Sequence, residues 1–297
     1  MLLIFALVIT RSSENFFISI VRAFAFQIMC FYFLIAAFWL LKKRWRLTVV
    51  GVACALMIKT ILPPVFNYEV SIETPRGFKI AHFNVLQFNS DYENTIRVAI
   101  SSNADFISFQ EVNQKWADSL QKGLSECYPY SKVISQESCC YGLAVYSKYP
   151  LHNVKEIYIE NLPNIAGNIE LEDTTLHFIA SHTKAPISPA RHRRRNRHIR
   201  ELAGYLDSIP APKIALGDYN AVPWDSVMKE FKNSTQLSDS RKTLMPTYPA
   251  SFAIAMIPID YIFHSRDLSC VDFTTIGGTS SDHLGIFGVY KFNETAQ

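Results

Sequence analysis

The sequence contains few of the residues that mark disordered, fibrous or disulfide-stapled proteins. Its 297 residues include only 11 Gly, 14 Pro and 6 Cys, while 49% of them are hydrophobic. Disordered and collagen-like chains need far more Gly and Pro, and small disulfide-stapled domains need denser cysteines. The length suits one catalytic-size domain plus a smaller segment. We therefore expect a chain that folds around a sizeable core.

The sequence also lacks zinc-type Cys and His spacings and any Ser or Cys nucleophile motif. Four of its cysteines lie in the C-terminal three quarters: Cys127, Cys139, Cys140 and Cys270. An oxidising compartment would permit a bridge from Cys127 to Cys139 or Cys140. Buried small thiols are the alternative.

Acidic residues are nearly absent from residues 1–66, which carry seven Lys and Arg against Glu14 alone. The remainder holds 22 basic and 25 acidic residues, so the net charge of +3 comes from the N-terminal segment. Overall basicity therefore gives no argument for nucleic-acid binding by the body of the protein. Such an argument has to rest on a local patch.

Two apolar runs in the N-terminal segment predict a membrane-anchoring helical hairpin. The first, Phe16–Leu41, is long enough to cross a bilayer as a helix, and the second, Leu47–Leu62, is shorter. The basic cluster Lys42–Arg46 lies between them and should stay in the cytoplasm, which places the body outside it, at a bacterial-type inner membrane. The alternative is a pair of buried core helices.

The predicted boundary lies in the linker Pro63–Pro75, with the membrane anchor at residues 1–66 and a catalytic domain at residues 67–297. The body alternates short apolar runs with turn signals and a few helical patterns, such as Arg191–Leu206 with Ile199 and Leu202 on one face. This pattern predicts an α+β body of largely antiparallel sheets flanked by helices.

Polar residues with catalytic potential recur at the ends of these apolar runs. They are Asn84 in AHFNVLQFN, Glu111 in FISFQEVN, His182 in FIASHTKAP, Asp218 and Asn220 in IALGDYNAVPWD, Asp260 in IPIDYIF, and Asp282 and His283 in SSDHLGIFGVY. Strand ends on a rigid scaffold can bring distant residues into one pocket. Carboxylate, amide and imidazole groups without a nucleophile motif suit Mg²⁺- or Mn²⁺-assisted hydrolysis of a phosphate ester.

These motifs, in this order, resemble the endonuclease/exonuclease/phosphatase family of DNase I-like enzymes across about Lys79 to Lys291. The tracts HTKAPISPARHRRRNRHIRELAGYL and TYPASFAIAMIPIDYIF resemble its membrane-anchored bacterial branch. The resemblance implies a four-layer α/β sandwich with two facing β-sheets, preceded here by transmembrane helices. It also implies Mg²⁺, or Mn²⁺, as the cofactor.

The resemblance further implies a role for each residue. Glu111 matches the principal metal ligand, with Asn84 beside it and Asp282 as a second acidic contributor. The other five match the catalytic groups: Asp218 for the attacking water, Asn220 and His182 for the phosphate, and His283 held by Asp260. Whether His283 acts as a base or stabilises the phosphate stays open.

The arginine run (Arg191–Arg200) contains six arginines and follows His182 closely. Three interpretations stay open: a solvated helix face, contact with a phosphate-rich substrate, or docking on anionic lipid. We expect its two histidines, His192 and His198, to be solvated. No tyrosine can be matched to the mid-chain tyrosine of abasic-site nucleases.

The sequence thus predicts a membrane-anchored, Mg²⁺-dependent phosphodiesterase that binds nucleic acid or phospholipid. A nuclease is slightly favoured, because the family and the arginine run support it. A lipid phosphodiesterase or phosphatase of the sphingomyelinase or inositol-phosphatase type is the alternative, which the membrane anchor supports. A non-catalytic membrane scaffold would require Glu111, Asp218 or His283 to point away from the common cleft.

Overall fold

A computed structural model describes residues 2–11, 14–63, 77–138, 140–172 and 174–293. The eight α-helices within these residues are α1 (Leu2–Thr10), α2 (Phe16–Ala23), α3 (Ala25–Leu41), α4 (Trp45–Lys59), α5 (Tyr92–Ser101), α6 (Gln114–Leu124), α7 (Pro189–Ser208) and α8 (Ser226–Thr235). The twelve strands there are β1 (Phe78–Asn84), β2 (Phe106–Gln110), β3 (Tyr130–Ile134), β4 (Leu143–Ser147), β5 (Leu151–Ile159), β6 (Leu162–Glu170), β7 (Thr175–Ser181), β8 (Lys213–Asp218), β9 (Ser238–Asp239), β10 (Asp260–His264), β11 (Leu268–Ile276) and β12 (Gly285–Phe292).

Local sequence signals account for the start of the helices that flank the sheets. The Ser188 side chain accepts a hydrogen bond from the Arg191 amide at 3.3 Å, and Pro189 follows in the first turn of α7. At α6, Asn113 Oδ1 accepts from the Trp116 amide at 2.9 Å. Such caps satisfy amides that have no partner within the helix, and proline suits the first helical position.

The strands form two six-stranded sheets with strand orders β11-β12-β1-β2-β4-β3 and β5-β6-β7-β8-β10-β9. One neighbouring pair in each sheet, β1 with β2 and β7 with β8, is parallel. The pairs around them are antiparallel. The parallel pairs lie in the middle of the sheets, where their carboxyl ends can meet.

The two sheets face each other across one apolar core. The Phe106 and Phe178 rings, one from each sheet, have centroids 4.8 Å apart. Buried residues of α5 and α6 cover the outer face of the first sheet, and those of α7 and α8 cover the outer face of the second. The structure confirms the predicted α/β sandwich with two facing sheets and helices on both sides.

The N-terminal segment forms four helices, and its first apolar run is broken. The run predicted to span the membrane, Phe16–Leu41, consists of two helices because the chain bends by 66° between α2 and α3, and its role as a membrane span stays a prediction. No single helix among the described residues is long and apolar enough to cross a membrane, but α2 and α3 together meet that criterion as a bent pair. α3 and α4 pack closely where Gly51 meets Ala36.

Several predictions about the boundary and the cysteines fall on residues that are not described. Residues 64–76 lie outside the described ranges, so the linker Pro63–Pro75 and the division at residue 66 stay predictions. Cys139 lies outside them as well. Cys127 is an exposed thiol that forms no disulfide with any described cysteine.

Candidate active site

The catalytic candidates lie at one edge of the sandwich because the strands that carry them end or begin there. Asn84, at the end of β1, is the register partner of Gln110, which directly precedes Glu111. In the second sheet, β7 and β8 are also parallel, so His182 after β7 lies close to Asp218 at the end of β8. The parallel pairs thus place the predicted metal ligands Asn84 and Glu111 at the same edge of the sandwich as His182 and Asp218.

The antiparallel neighbours bring the remaining candidates to this edge. Asp260, the first residue of β10, is the register partner of Asp218, the last residue of β8. Asp282 and His283 lie three and two positions before the start of β12, which runs antiparallel to β1 and begins where β1 ends. The structure therefore brings all eight predicted residues together, and their chemical roles stay predictions.

His283 and Asp260 form a buried hydrogen-bonded pair. His283 Nδ1 lies 2.9 Å from Asp260 Oδ2. Burial disfavours the charged ring, but the Asp260 carboxylate outweighs it and raises the pKa of His283 to about 10. Burial alone would raise the pKa of Asp260, yet His283 and His82 together hold it below its ordinary value. The pair fixes the ring and leaves Nε2 directed towards Asp218, 3.8 Å from its Oδ2.

Both oxygens of the Glu111 carboxylate are oriented by neighbouring donors. Asn84 Nδ2 donates to Oε1 at 3.1 Å, and the Gln87 amide donates to Oε2 at 3.1 Å. Glu111 has a φ of 65°, in the left-handed region, so the extended backbone of β2 ends at this residue. The carboxylate is held at the edge of the sheet, where it lines the cavity.

Asp282 carries a buried carboxylate oxygen, Oδ1, with no hydrogen-bond partner within the described residues. Burial is the largest cause that raises the pKa of Asp282, and the nearby Glu111 and Asp218 carboxylates add to it against the opposing effect of His283. Several carboxylates close together, one with an oxygen that lacks a donor, suit a hard divalent cation. Asp282, Glu111 and Asn84 therefore fit a Mg²⁺ or Mn²⁺ site.

The Asp218 carboxylate is held mainly by Asn220, two positions after the end of β8. The Asn220 amide donates to Asp218 Oδ1 at 2.8 Å, and Asn220 Nδ2 donates to Oδ2 at 3.1 Å and to the Thr183 carbonyl at 3.0 Å. His182 Nε2 lies 3.5 Å from the same Oδ2. The carboxylate thus has a fixed orientation between two imidazoles, those of His182 and His283.

One cavity of about 570 Å³ opens over these groups, and Glu111, Asp218 and His283 all line it. None of the three points away, as the scaffold alternative would require. Asp218, Asp260 and His283 also offer ligand atoms within 4.8 Å of one another. Asp260 already accepts the His283 Nδ1–H, so this trio forms a hydrogen-bonded array, and Glu111 stays the predicted principal metal ligand.

The sequence signature of the Endonuclease/Exonuclease/phosphatase family matches residues 81–283, a range that includes all eight candidates. The chain belongs to this family. No curated protein matches the chain by sequence. Family members hydrolyse phosphoric esters and generally depend on a divalent metal.

Solved structures share the fold at low sequence identity. The Beutenbergia cavernae endonuclease/exonuclease/phosphatase is 16% identical with a TM-score of 0.62, over 74% of this chain and 72% of that chain. TDP2 of D. rerio, complexed with a single strand DNA product, is 15% identical with a TM-score of 0.62, over 73% and 100% of the two chains. The catalytic domain of human Nocturnin, with bound sulfate, is 19% identical with a TM-score of 0.58, over 73% and 95%. At these identities the likeness concerns the fold alone.

In this member of the family, Gln110 supports the site from below, a function that the sequence analysis missed. Its Oε1 accepts from the Asp218 amide at 2.9 Å, and its Nε2 donates to the Ser181 carbonyl at 2.7 Å. Gln110 is fully buried, so these two bonds join the facing sheets directly beneath the cavity. The sequence offered one signal for this role, the dipeptide Gln110-Glu111. A buried Gln side chain needs hydrogen-bond partners, and this one adjoins the predicted metal ligand.

Two tyrosines also line the cavity, although the sequence identified none. The Tyr248 ring centroid lies 4.7 Å from that of His283, and the Tyr141 ring centroid lies 5.2 Å from that of His182. Both tyrosines lie outside the helices and long strands, where no periodic pattern marks them. They narrow the cavity on either side of the imidazoles.

Gly217 is required by the close approach of β8 to β7 and Gln110. Its φ of 140° is rare for any residue with a side chain, and an added Cβ would lie 2.0 Å from the Ser181 carbonyl oxygen and 2.3 Å from Gln110 Nε2. The backbone at Asp218 therefore depends on the absence of a side chain one position earlier.

We expect Gly217→Ala to lower the free energy of unfolding by about 1–3 kcal/mol, because it forces a strained backbone or displaces Gln110. Denaturant unfolding followed by circular dichroism measures this change. The matched control is Gly204→Ala on α7, where a Cβ would have no neighbour within 4 Å. That control should leave stability unchanged or raise it slightly, since Ala favours helix more than Gly. Equal changes in the free energy of unfolding from Gly217→Ala and Gly204→Ala would contradict the claim that β8 requires glycine at position 217.

Most of the arginine run is paired inside the protein. Arg194 and Arg197 both bind Glu160, at 2.9 and 2.6 Å, and these bonds lower the pKa of Glu160 to about 2. Arg200 pairs with Glu230 at 2.9 Å. The run is therefore largely neutralised by the fold, which weakens its support for nucleic-acid binding.

The expectation that His192 and His198 are solvated is wrong. Both are 1% exposed, as is usual for core residues, and burial lowers the pKa of His198 to about 4. Their positions on α7 explain this, because Arg195, Ile199 and Leu202 follow His192 at helical spacing and share its buried face. The buried face of this helix therefore extends beyond its apolar residues to polar residues nearer the N-terminus.

Proposed function

We propose that the chain is a divalent-metal-dependent phosphodiesterase in which a water molecule attacks the phosphorus of the substrate, one P–O ester bond breaks, and the products are an alcohol and a phosphomonoester. The observation that carries the proposal is the position of Asp218 Oδ2, 3.5 Å from His182 Nε2 and 3.8 Å from His283 Nε2. A proton acceptor thus lies beside two groups that can donate to phosphate oxygens. Phosphoryl transfer depends chiefly on such positioning and charge stabilisation.

Glu111, Asn84 and Asp282 would hold the metal, for which we propose Mg²⁺, with Mn²⁺ as an alternative. Their oxygen donors match the preference of these cations, and Asp282 Oδ1 lacks a protein donor within the described part of the chain. When bound, the ion would supply positive charge at the phosphate and lower the pKa of a nearby water molecule.

Asp218 accepts the proton of the attacking water. It can also orient this water, because Asn220 fixes its carboxylate in place. The Asp260 carboxylate holds His283 Nδ1, so His283 presents Nε2 to a nonbridging phosphate oxygen. His182 contacts another such oxygen from the opposite side. These donors stabilise the negative charge that grows in the transition state.

Two substrate classes are candidates. A nucleic acid is supported by the family and by the D. rerio TDP2 structure, which holds a single strand DNA product. A lipid phosphodiester is supported by the apolar side chains that line the cavity, among them Phe16 and Ile20. The pairing of most of the arginines weakens one of the reasons for preferring the nuclease.

Incubating the full chain with Mg²⁺ and, in parallel, plasmid DNA, RNA and sphingomyelin tests the proposed reaction. We expect at least one phosphodiester to be hydrolysed, with the activity lost on chelation and restored by Mg²⁺. His283→Ala should remove the activity, whereas His152→Ala, whose side chain is 55% exposed, should not. Hydrolysis that survives both chelation and His283→Ala would contradict the proposal.

We also propose that the N-terminal helices attach the protein to a bacterial-type inner membrane, with Lys42–Arg46 in the cytoplasm. The charge bias of that cluster supports this orientation. Alkaline phosphatase fused after Gln297 should then be active, because its disulfides form only in an oxidising compartment. An inactive fusion beside a bright cytoplasmic fluorescent fusion would place the body in the cytoplasm.

A further inference from the structure

The helix α2 forms one wall of the cavity that holds the catalytic candidates. Phe16, Ile20, Ala23 and Phe24 line the same space as Asp218. Their spacing places them on one face of α2 and at its C-terminal end. A segment that precedes the catalytic body by dozens of residues thus contributes directly to the surface that a substrate would contact.

Buried polar contacts fix α2 against the catalytic body. Ser19 Oγ donates to Asp225 Oδ2 at 2.8 Å, and Arg195 donates to the same oxygen at 2.9 Å. Trp224 Nε1 donates to the Arg22 carbonyl at 2.6 Å. All five residues are at most 4% exposed. Breaking such buried hydrogen bonds costs free energy, so α2 stays packed against the catalytic body and forms a fixed wall of the cavity.

Apolar side chains outside α2 also line the cavity. Ile187, in the connection between β7 and α7, and Ile257 and Ile259, before β10, line it. The polar groups gather at the bottom, around Asp218 and His283. A ligand that fills the space would therefore place an anionic group at the base and an apolar group between the walls.

Exposed apolar side chains continue from these walls onto the surface. Ile187 is 72% exposed, and Ile254, in the turn Ala253–Ala255, is 78% exposed. Gln27 Nε2 donates to the Met256 carbonyl at 2.9 Å, which ties this turn to α3. Exposed apolar side chains of this kind near a cavity are typical of a ligand or membrane contact.

Cationic groups at the cavity are few. Arg191, Arg195 and His283 line it, and Arg195 is paired with Asp225 and His283 with Asp260. A nucleic acid presents one phosphate after another and needs several unpaired Lys or Arg side chains along its path. One phosphodiester joined to an apolar chain matches the observed charges and walls better.

We infer that α2 is part of the substrate site, and that the substrate is an amphiphilic phosphodiester whose apolar chain lies between Phe24 and Ile187. This inference rests on the proposed phosphodiesterase function and specifies its substrate class. The phosphate reaches Asp218 and His283, and the chain leaves through the apolar mouth towards the helices.

Binding of methyl, butyl and hexyl phosphate to the full chain, measured by calorimetry with Mg²⁺ in one neutral detergent, tests the inference. Affinity should rise by up to about fourfold for each methylene group that becomes buried. Phe24→Ser and Ile187→Ser should weaken hexyl phosphate binding severalfold and leave methyl phosphate binding unchanged. The matched control is Phe17→Ser, because Phe17 lies on α2, is 70% exposed and does not line the cavity.

Affinity that is independent of chain length would overturn the inference. Equal losses from Phe17→Ser and Phe24→Ser would overturn it too, because they would indicate non-specific uptake by apolar helices. Ile187 lies in a surface connection, so its substitution should be tolerated even if a change in α2 impairs folding. Hydrolysis of bis(p-nitrophenyl) phosphate by the same preparations tests the proposed function separately, since that activity does not depend on the chain-length series.

Discussion

Asp218→Asn is expected to lower kcat by about 10²- to 10⁴-fold, the usual contribution of a general base. The substitution keeps the size of the side chain but removes the charge that accepts the proton of the attacking water. KM should change little, because Asp218 does not hold the ground-state phosphate. Steady-state hydrolysis of bis(p-nitrophenyl) phosphate at saturating Mg²⁺ measures both constants.

The matched control is Asp207→Asn, on the exposed face of α7 and outside the cavity. It should retain the wild-type kcat. Circular dichroism should show the same fold for both variants, because the amide oxygen at position 218 can still accept from Asn220 and the backbone bond from Thr183 N–H to the carbonyl of residue 218 is unchanged. A kcat near the wild-type value in Asp218→Asn would assign the proton acceptor to another group.

Glu111→Gln is expected to raise the Mg²⁺ concentration for half-maximal activity by at least about 10- to 100-fold, the loss usually seen when even a residue behind a metal ligand is changed. The amide keeps the size of the side chain and can still accept from Asn84 or the Gln87 backbone N–H, but not from both, and it withdraws a negative charge from the cation. Mn²⁺ binding followed by electron paramagnetic resonance measures the affinity without any turnover.

Glu126→Gln, an exposed position beyond the end of α6, is the control and should bind Mn²⁺ as the wild-type chain does. Unchanged Mn²⁺ affinity in Glu111→Gln would remove Glu111 from the metal site. In that case the alternative position would be the trio of Asp218, Asp260 and His283, whose ligand atoms lie within 4.8 Å of one another.

The location of the site could be predicted from the sequence because each candidate adjoins an apolar run. Asn84 and Gln110 are register partners on parallel strands, and Asp218 and Asp260 are register partners on antiparallel strands. Residues at strand ends that share an edge must converge once the sheets form. A local signal therefore carried information about a non-local site.

The bend at Phe24 and the docking of α2 could not be predicted from the same kind of signal. Hydropathy gives a nearly continuous apolar run from Phe16 to Leu41. It does not predict which part of the protein this run packs against. The bend follows from contacts such as Trp224 with Arg22, which join residues about 200 positions apart. Arg22, a charged residue within that run, contacts Trp224 and Ser226 of the catalytic body.

The arginine run shows why a charge pattern alone misleads. Six arginines in ten residues suggest an open cationic surface, but Glu160 binds two of them and Asp225 binds the buried Arg195. Glu160 lies in the turn between β5 and β6, which only the fold brings beside α7. The partners of a charged run are non-local, so its effective charge needs the structure.

The most direct test of the central claim is the hydrolysis of bis(p-nitrophenyl) phosphate by the full chain, compared with Asp260→Asn. The account predicts release of p-nitrophenol that requires a divalent metal and falls by orders of magnitude in the variant, because Asp260 holds the His283 ring at 2.9 Å. A wild-type chain that releases no p-nitrophenol at any Mg²⁺ or Mn²⁺ concentration, or an Asp260→Asn variant as active as the wild type, would contradict the account.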